Sequence, residues 1–217
     1  MKLSDSRALS AFELLVGTLV VLGHNVFRVL PNEVPILAVL GLVSFRLRSG
    51  GWAALPFRRP VSWWRVLLIA VAAAALRIML GGYIETLAAK VWPPIVAPAG
   101  SEAIAGDPKT ALLWLGIVWT WAAFGEEFGY RGYLLTRAAD LGKGSAGAYL
   151  AGMVFVAVLF GLGHFYKGPA GIVDSGFAGF VLGAAYLVSG RNLWASVLAH
   201  GFIDTYGITA LYFGWAT

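Results

Sequence analysis

The chain has 217 residues, of which 59% are hydrophobic and only 12% charged, and its mean hydropathy is +0.77. That composition belongs to a chain living in lipid and excludes an ordinary water-soluble domain. The formal charge of +5 does not point to nucleic acid, because the basic residues stand at the ends of apolar runs, where they report topology; with no cysteine, disulfides, thiolate metal sites and a Cys nucleophile are excluded too.

Apolar runs fall at about 10–30, 34–46, 61–80, 109–138, 145–166, 170–188 and 192–215, most of them near the ~20 residues a spanning helix needs. The first, Ala11 to Leu30, is long for a signal h-region and is followed by Pro31-Asn32-Glu33-Val34-Pro35 instead of a small-residue cleavage site, so it reads as a retained span. The second is short. Between Gly82 and Pro108 the stretch Tyr83 to Trp92 is a candidate interfacial or extra helix, which Pro93-Pro94 would break. No linker or long-period repeat divides the chain. The expectation is one all-α integral membrane domain over 1–217, a polytopic bundle of about seven spans (six to eight) around a polar intramembrane cavity, with its chemistry in 109–215. Gly125 with Gly129 and Gly179 with Gly183 stand four apart, the small-residue spacing that lets helices approach closely in lipid.

Placing the N-terminus in the cytoplasm puts Lys2, Arg7, Arg46, Arg48, Arg58, Arg59, Arg137, Lys143 and Arg191 at cytoplasmic ends. The other side then holds the poorer set Arg28, Arg77, Lys90, Lys109 and Lys167, as the positive-inside rule asks. The expected location is a prokaryotic inner (plasma) membrane. Trp63, Trp64, Trp92 and Trp215 fall near helix ends and read as interfacial anchors.

Against this background the adjacent acids Glu126 and Glu127 stand out, since ionisable groups at membrane depth are costly and default to function. Glu127 and Arg131 are four apart with the acid first, the favourable helical pairing. Glu126 points about 100° away around the helix and is left to face a cavity as a candidate general base. Phe160 and His164 share one face of the fifth run, with Gly161 and Gly163 opening room beside the imidazole. His200 and Asp204 share a face of the last run, where the acid can orient the imidazole or hold it as imidazolium. Each group also has a purely architectural reading as interhelical polar glue. His24, with no acid within a helical turn, reads as structural or pore-facing.

Glu126-Glu127-x-x-x-Arg131, Phe160-x-x-x-His164 and His200-x-x-x-Asp204, in this order on successive apolar runs, resemble the CPBP family of CAAX prenyl endopeptidases and bacteriocin-processing or self-immunity proteins. The resemblance implies a helical membrane bundle with a cleft-like cavity and peptide-bond hydrolysis by glutamate-activated water. It further implies that Glu126 and His164 bind and deprotonate the water, that His200 and residue 204 stabilise the oxyanion, and that Glu127, Arg131 and Phe160 support the site. A base and preorganised donors are what such a reaction needs in a low-dielectric cavity. The implied partners are the bilayer and a membrane-associated peptide or protein, with or without a lipid, cut near its C-terminus or sorting tail; no cofactor is implied.

The family pattern often has Asn where this chain has Asp204, and an ionised carboxylate cannot donate to an oxyanion; the favoured role for Asp204 is therefore to hold His200 as the donor. Depth raises a second question. Counted from the turn near Lys143, His164 lies about 20 residues along, near the outer face, whereas Glu126 falls mid-helix. Two other functions compete: a zinc metalloprotease with His164, His200 and Glu126 as ligands, although His-Glu-x-x-His is absent, and a non-catalytic immunity or transport scaffold.

Overall fold

The computed structural model describes residues 6–92 and 101–215. Among them there are only helices, turns and short loops. α1 (Arg7–Asn25), α2 (Glu33–Leu47) and α3 (Trp63–Ala89) come first. α4 (Pro108–Ile117) runs without a break through two π-helical stretches, Val118–Glu126 and Phe128–Leu134, into α5 (Leu135–Leu141). α6 (Ala146–Leu162), a one-turn 3-10 segment (Phe165–Lys167), α7 (Gly168–Val188) and α8 (Leu193–Phe213) complete the chain. Counting α4 and α5 as one rod gives seven, all helical, the bundle expected from the seven apolar runs.

The starts are written locally. Ser6, Asn32, Ser62, Asp107, Ser145 and Asn192 each accept a backbone N–H of the first turn, satisfying donors that lipid cannot. α1, α3 and the segment Phe165–Val188 are long and apolar enough to cross a membrane, and α6 is a shorter apolar helix. Large apolar side chains such as Phe12, Leu68, Met79, Leu113, Val154 and Phe180 lie on the outside, an arrangement suited to acyl chains rather than water. This is an integral membrane protein.

Two boundaries differ from expectation. The first span ends at Asn25, not Leu30: Val29 N–H returns to the Gly23 carbonyl at 2.8 Å, Arg28 has φ 55°, and the chain doubles back over Gly23. No separate helix covers Tyr83–Trp92, because α3 continues through that region to Ala89. Pro93-Pro94, like Lys2, lies outside the described residues.

Close packing on glycine sets the layers. A Cβ on Gly125 or Gly129 would meet Val34 or Leu37 of α2, and one on Gly179 or Gly183 would meet α6, so both small-residue pairs are contact surfaces. α7 lies between α6 and α3, and α8 packs on α3, α7 and the π-wound stretch. At one end of the bundle Glu13, Arg48, Arg137 and Asp140 lace α1, α2 and α5 together, with Arg48 Nη2 3.0 Å from Glu13 Oε1 and Arg137 Nη1 3.3 Å from Asp140 Oδ2. Arg7, Lys143, Arg58, Arg59, Arg65 and Arg191 line clefts at this same end.

At Gly161 a Cβ would stand 2.6 Å from the Ile172 carbonyl and 3.2 Å from Gly176 Cα. Gly161→Ala is therefore expected to cost about 1–3 kcal/mol by forcing α6 from α7, whereas Gly116→Ala, with nothing within 4 Å of the new carbon, gains about 0.5–1 kcal/mol from helix propensity. Thermal unfolding in detergent checks the opposite signs.

Candidate active site

The polar centre is built around one oxygen. Glu127 and Arg131 are fully buried, and Arg131 Nη1 donates to Glu127 Oε1 at 2.6 Å. The second guanidinium arm donates to the Gly179 carbonyl at 2.9 Å, and its plane lies 4.5 Å from the centre of the Phe160 ring. The same Glu127 Oε1 is 2.8 Å from His200 Nδ1. A carboxylate can only accept, so Nδ1 carries the proton and Nε2 is turned the other way. His200 Nε2 then lies 3.5 Å from Asp204 Oδ2, at ion-pair distance. Sequence spacing gave His200 to Asp204 alone; the structure adds Glu127, 73 residues away, as the group that fixes the tautomer.

His164 stands just past the end of α6, where its Nδ1 is 2.9 Å from the Phe160 carbonyl. A carbonyl also only accepts, so Nδ1–H donates and a neutral His164 keeps a bare Nε2 lone pair. The Phe160 ring is the spacer of the site, with His164 and His200 at centroid distances of 4.9 and 6.0 Å and Tyr130 edge-on at 5.1 Å.

Glu126 is half-buried and makes no hydrogen bond to any described residue. It lines a cavity of about 610 Å³ together with His164, Tyr166, Lys167, His200 and Asp204, walled by Trp114, Ile117, Val118, Trp121, Ile203 and Leu211. The depth question resolves here. Glu126 and His164 line the same cavity, so they lie at a common depth whatever the residue count from the turn near Lys143 suggests. Winding matters as well: π-helical turns, frequent at functional sites, carry Glu126 and Arg131. Gly201, next to His200, has no side chain to obstruct the Trp119 ring, whose Nε1 donates to Thr205 Oγ1 at 3.1 Å.

Several residues escaped sequence reasoning. His24 Nε2 is 3.4 Å from Glu33 Oε2, a partner on the next helix and beyond any helical-turn search. Glu33, Tyr130, Tyr166 and Lys167 all stand around the site or its edge, and the first two signal themselves only as polar groups in apolar surroundings. Among the described residues no three His, Cys, Asp or Glu side chains are grouped as a metal site.

Residues 108–206 match the family model described as type II CAAX prenyl endopeptidase Rce1-like. The matched stretch, a little under half of the chain, is similar to the CAAX proteases of this type. Among curated proteins and among solved structures nothing matches the chain. The matched part starts at α4 and holds all three polar motifs; α1 to α3 lie outside the match.

Arg131→Met would leave the buried Glu127 carboxylate without its cation and is expected to destabilise by about 3–5 kcal/mol. Adding Glu127→Gln removes the orphaned charge and should return most of that loss. Thermal melts of the single and double variants measure the coupling, and equal losses in both would refute it.

Proposed function

We propose that this protein hydrolyses a peptide bond near the C-terminus or sorting tail of a membrane-associated peptide or protein, with Glu126 as general base. The observation that carries this reading is a carboxylate without a hydrogen-bond partner among the described residues, in the same cavity as two imidazoles whose tautomers are set by outside acceptors. Water held between Glu126 and His164 Nε2 gives one proton to Glu126, and its oxygen attacks the scissile carbonyl. The oxyanion is met by the Nε2–H of His200, whose other N–H is held by Glu127 and whose positive charge Asp204 supports from 3.5 Å. As the C–N bond breaks, Glu126 returns the proton to the leaving amine, so atoms and charge balance. A dry apolar wall strengthens each of these electrostatic contacts. The family description, a CAAX prenyl endopeptidase, supports a lipidated tail as one substrate class.

We read the reaction as metal-free, because His200 Nδ1 is held by Glu127 and its Nε2 faces the Asp204 carboxylate, which favours a protonated donor over a metal ligand. Glu126→Gln should lower cleavage by at least ~100-fold with an unchanged melting curve. Wild-type cleavage should survive a chelator that strips zinc; stoichiometric zinc and chelator-sensitive activity would replace this reading with the zinc one, and a phenotype retained by Glu126→Gln would favour a scaffold.

Orientation follows from charge. The end laced by Glu13 and Arg48 carries Arg7, Arg46, Arg48, Arg58, Arg59, Arg65, Arg137, Lys143 and Arg191, while at the other end Arg77 is already paired with Asp174 at 2.6 Å. The basic end is therefore assigned to the cytoplasm, and the cavity, formed by the opposite ends of α4, α6 and α8, opens to the non-cytoplasmic side. Because the chain has no cysteine, single cysteines report this cleanly: in intact cells an impermeant maleimide should label Lys109→Cys and spare Lys143→Cys. The reverse pattern would turn the protein over.

A further inference from the structure

Lys167 is the lone Lys or Arg among the described residues lining the catalytic cavity, and the reaction above gives it nothing to do. Its backbone N–H donates to the His164 carbonyl at 2.9 Å, which roots it one tight turn from the water-binding imidazole. Its stem lies across Gly171, where any Cβ would collide with it, and its ammonium ends 3.5 Å from the hydroxyl of the buried Ser175. Neighbouring Asp174 attracts this charge but makes its direct ion pair with Arg77, at 2.6 Å. The ammonium forms no ion pair with any described carboxylate. Glu126 and Asp204 line the same cavity, but the first is the base and the second faces His200, and a cation with no direct ion pair in such surroundings is costly until a further anion arrives.

We propose that Lys167, with Ser175 beside it, binds the free C-terminal carboxylate of the substrate, making Lys167 the residue that measures how far from the chain end the cut falls. This rests on the peptidase reading above and adds to it the requirement for an unblocked terminus. An extended peptide covers about 3.3 Å per residue, and Lys167 lines the same cavity of about 610 Å³ as Glu126 and His164, so the carboxylate it meets belongs to a chain end only a few residues past the bond being cut. The apolar wall at Trp114, Trp121 and Ile203 suits the side chains of those last residues. The leaving fragment is then a short peptide acid, held by its charge until released.

The test uses the full-length chain carrying Glu126→Gln, so that bound peptide is not consumed. The probes are three fluorescent S-farnesyl-cysteinyl tetrapeptides: one ends in a free acid, one in an amide, and one in an amide with Glu as its last residue. The free acid should bind about tenfold or more tighter than the amide, and adding Lys167→Gln should erase that ratio while leaving amide affinity as it was, which also shows the cavity intact. Equal affinity for acid and amide with Lys167 present overturns the proposal, as does a ratio that persists in Lys167→Gln. Tight binding of the Glu-bearing amide overturns the terminal assignment in favour of an acidic side chain. Failure of all three to bind overturns both this proposal and the peptidase reading, whereas cleavage by wild type without discrimination overturns this proposal alone.

Discussion

A single buried oxygen, Glu127 Oε1, accepts from Arg131 and from His200, and the site's geometry hangs on it. In low dielectric a carboxylate with one partner is poorly satisfied, and a guanidinium with none is worse. Arg131 solves both by spending its other arm on Gly179 and laying its face on Phe160. That one group ties the π-wound rod to α7 and α6, while Glu127 ties it to α8. Four consecutive helices are thereby held in one register, and His164 and His200 both pack on Phe160.

How much of this could be read from the chain follows the range of each interaction. Glu127 with Arg131 and Phe160 with His164 are one turn apart, so helical spacing finds them. His200 with Glu127 is a contact between distant helices, and spacing offered Asp204 instead, which the structure keeps as the partner of the second nitrogen. His24 seemed without an acid for the same reason: Glu33 reaches it from α2 across the loop at Arg28. The span pattern was legible because apolarity is a property of long segments. The end of α1 was not, because Phe27, Val29 and Leu30 are as apolar as a helix interior while the backbone has already turned back.

The two ends of the bundle answer different demands. One is stitched by ion pairs among Glu13, Arg48, Arg137 and Asp140 and holds most of the basic residues. The other is hollowed by a cavity whose walls are Trp, Ile and Leu and whose floor is polar. A peptide can enter this second end without disturbing the first. Its backbone amides lose water as they enter, which sharpens the effect of every fixed donor and acceptor waiting there.

The π winding from Val118 to Leu134 has a consequence for how such a chain can change over time. A π turn holds one more residue than an α turn of the same hydrogen-bonded ladder, so the angular position of Glu126 depends on the winding before it as well as on the number of residues. Substitutions along this rod alter packing one contact at a time. Loss of a single residue between Ile117 and Glu126 is a change the rod can absorb by closing one π turn to an α turn, with the acid still facing the cavity. The wide turns thus give this stretch a tolerance of length that an α-helix of the same residues would lack.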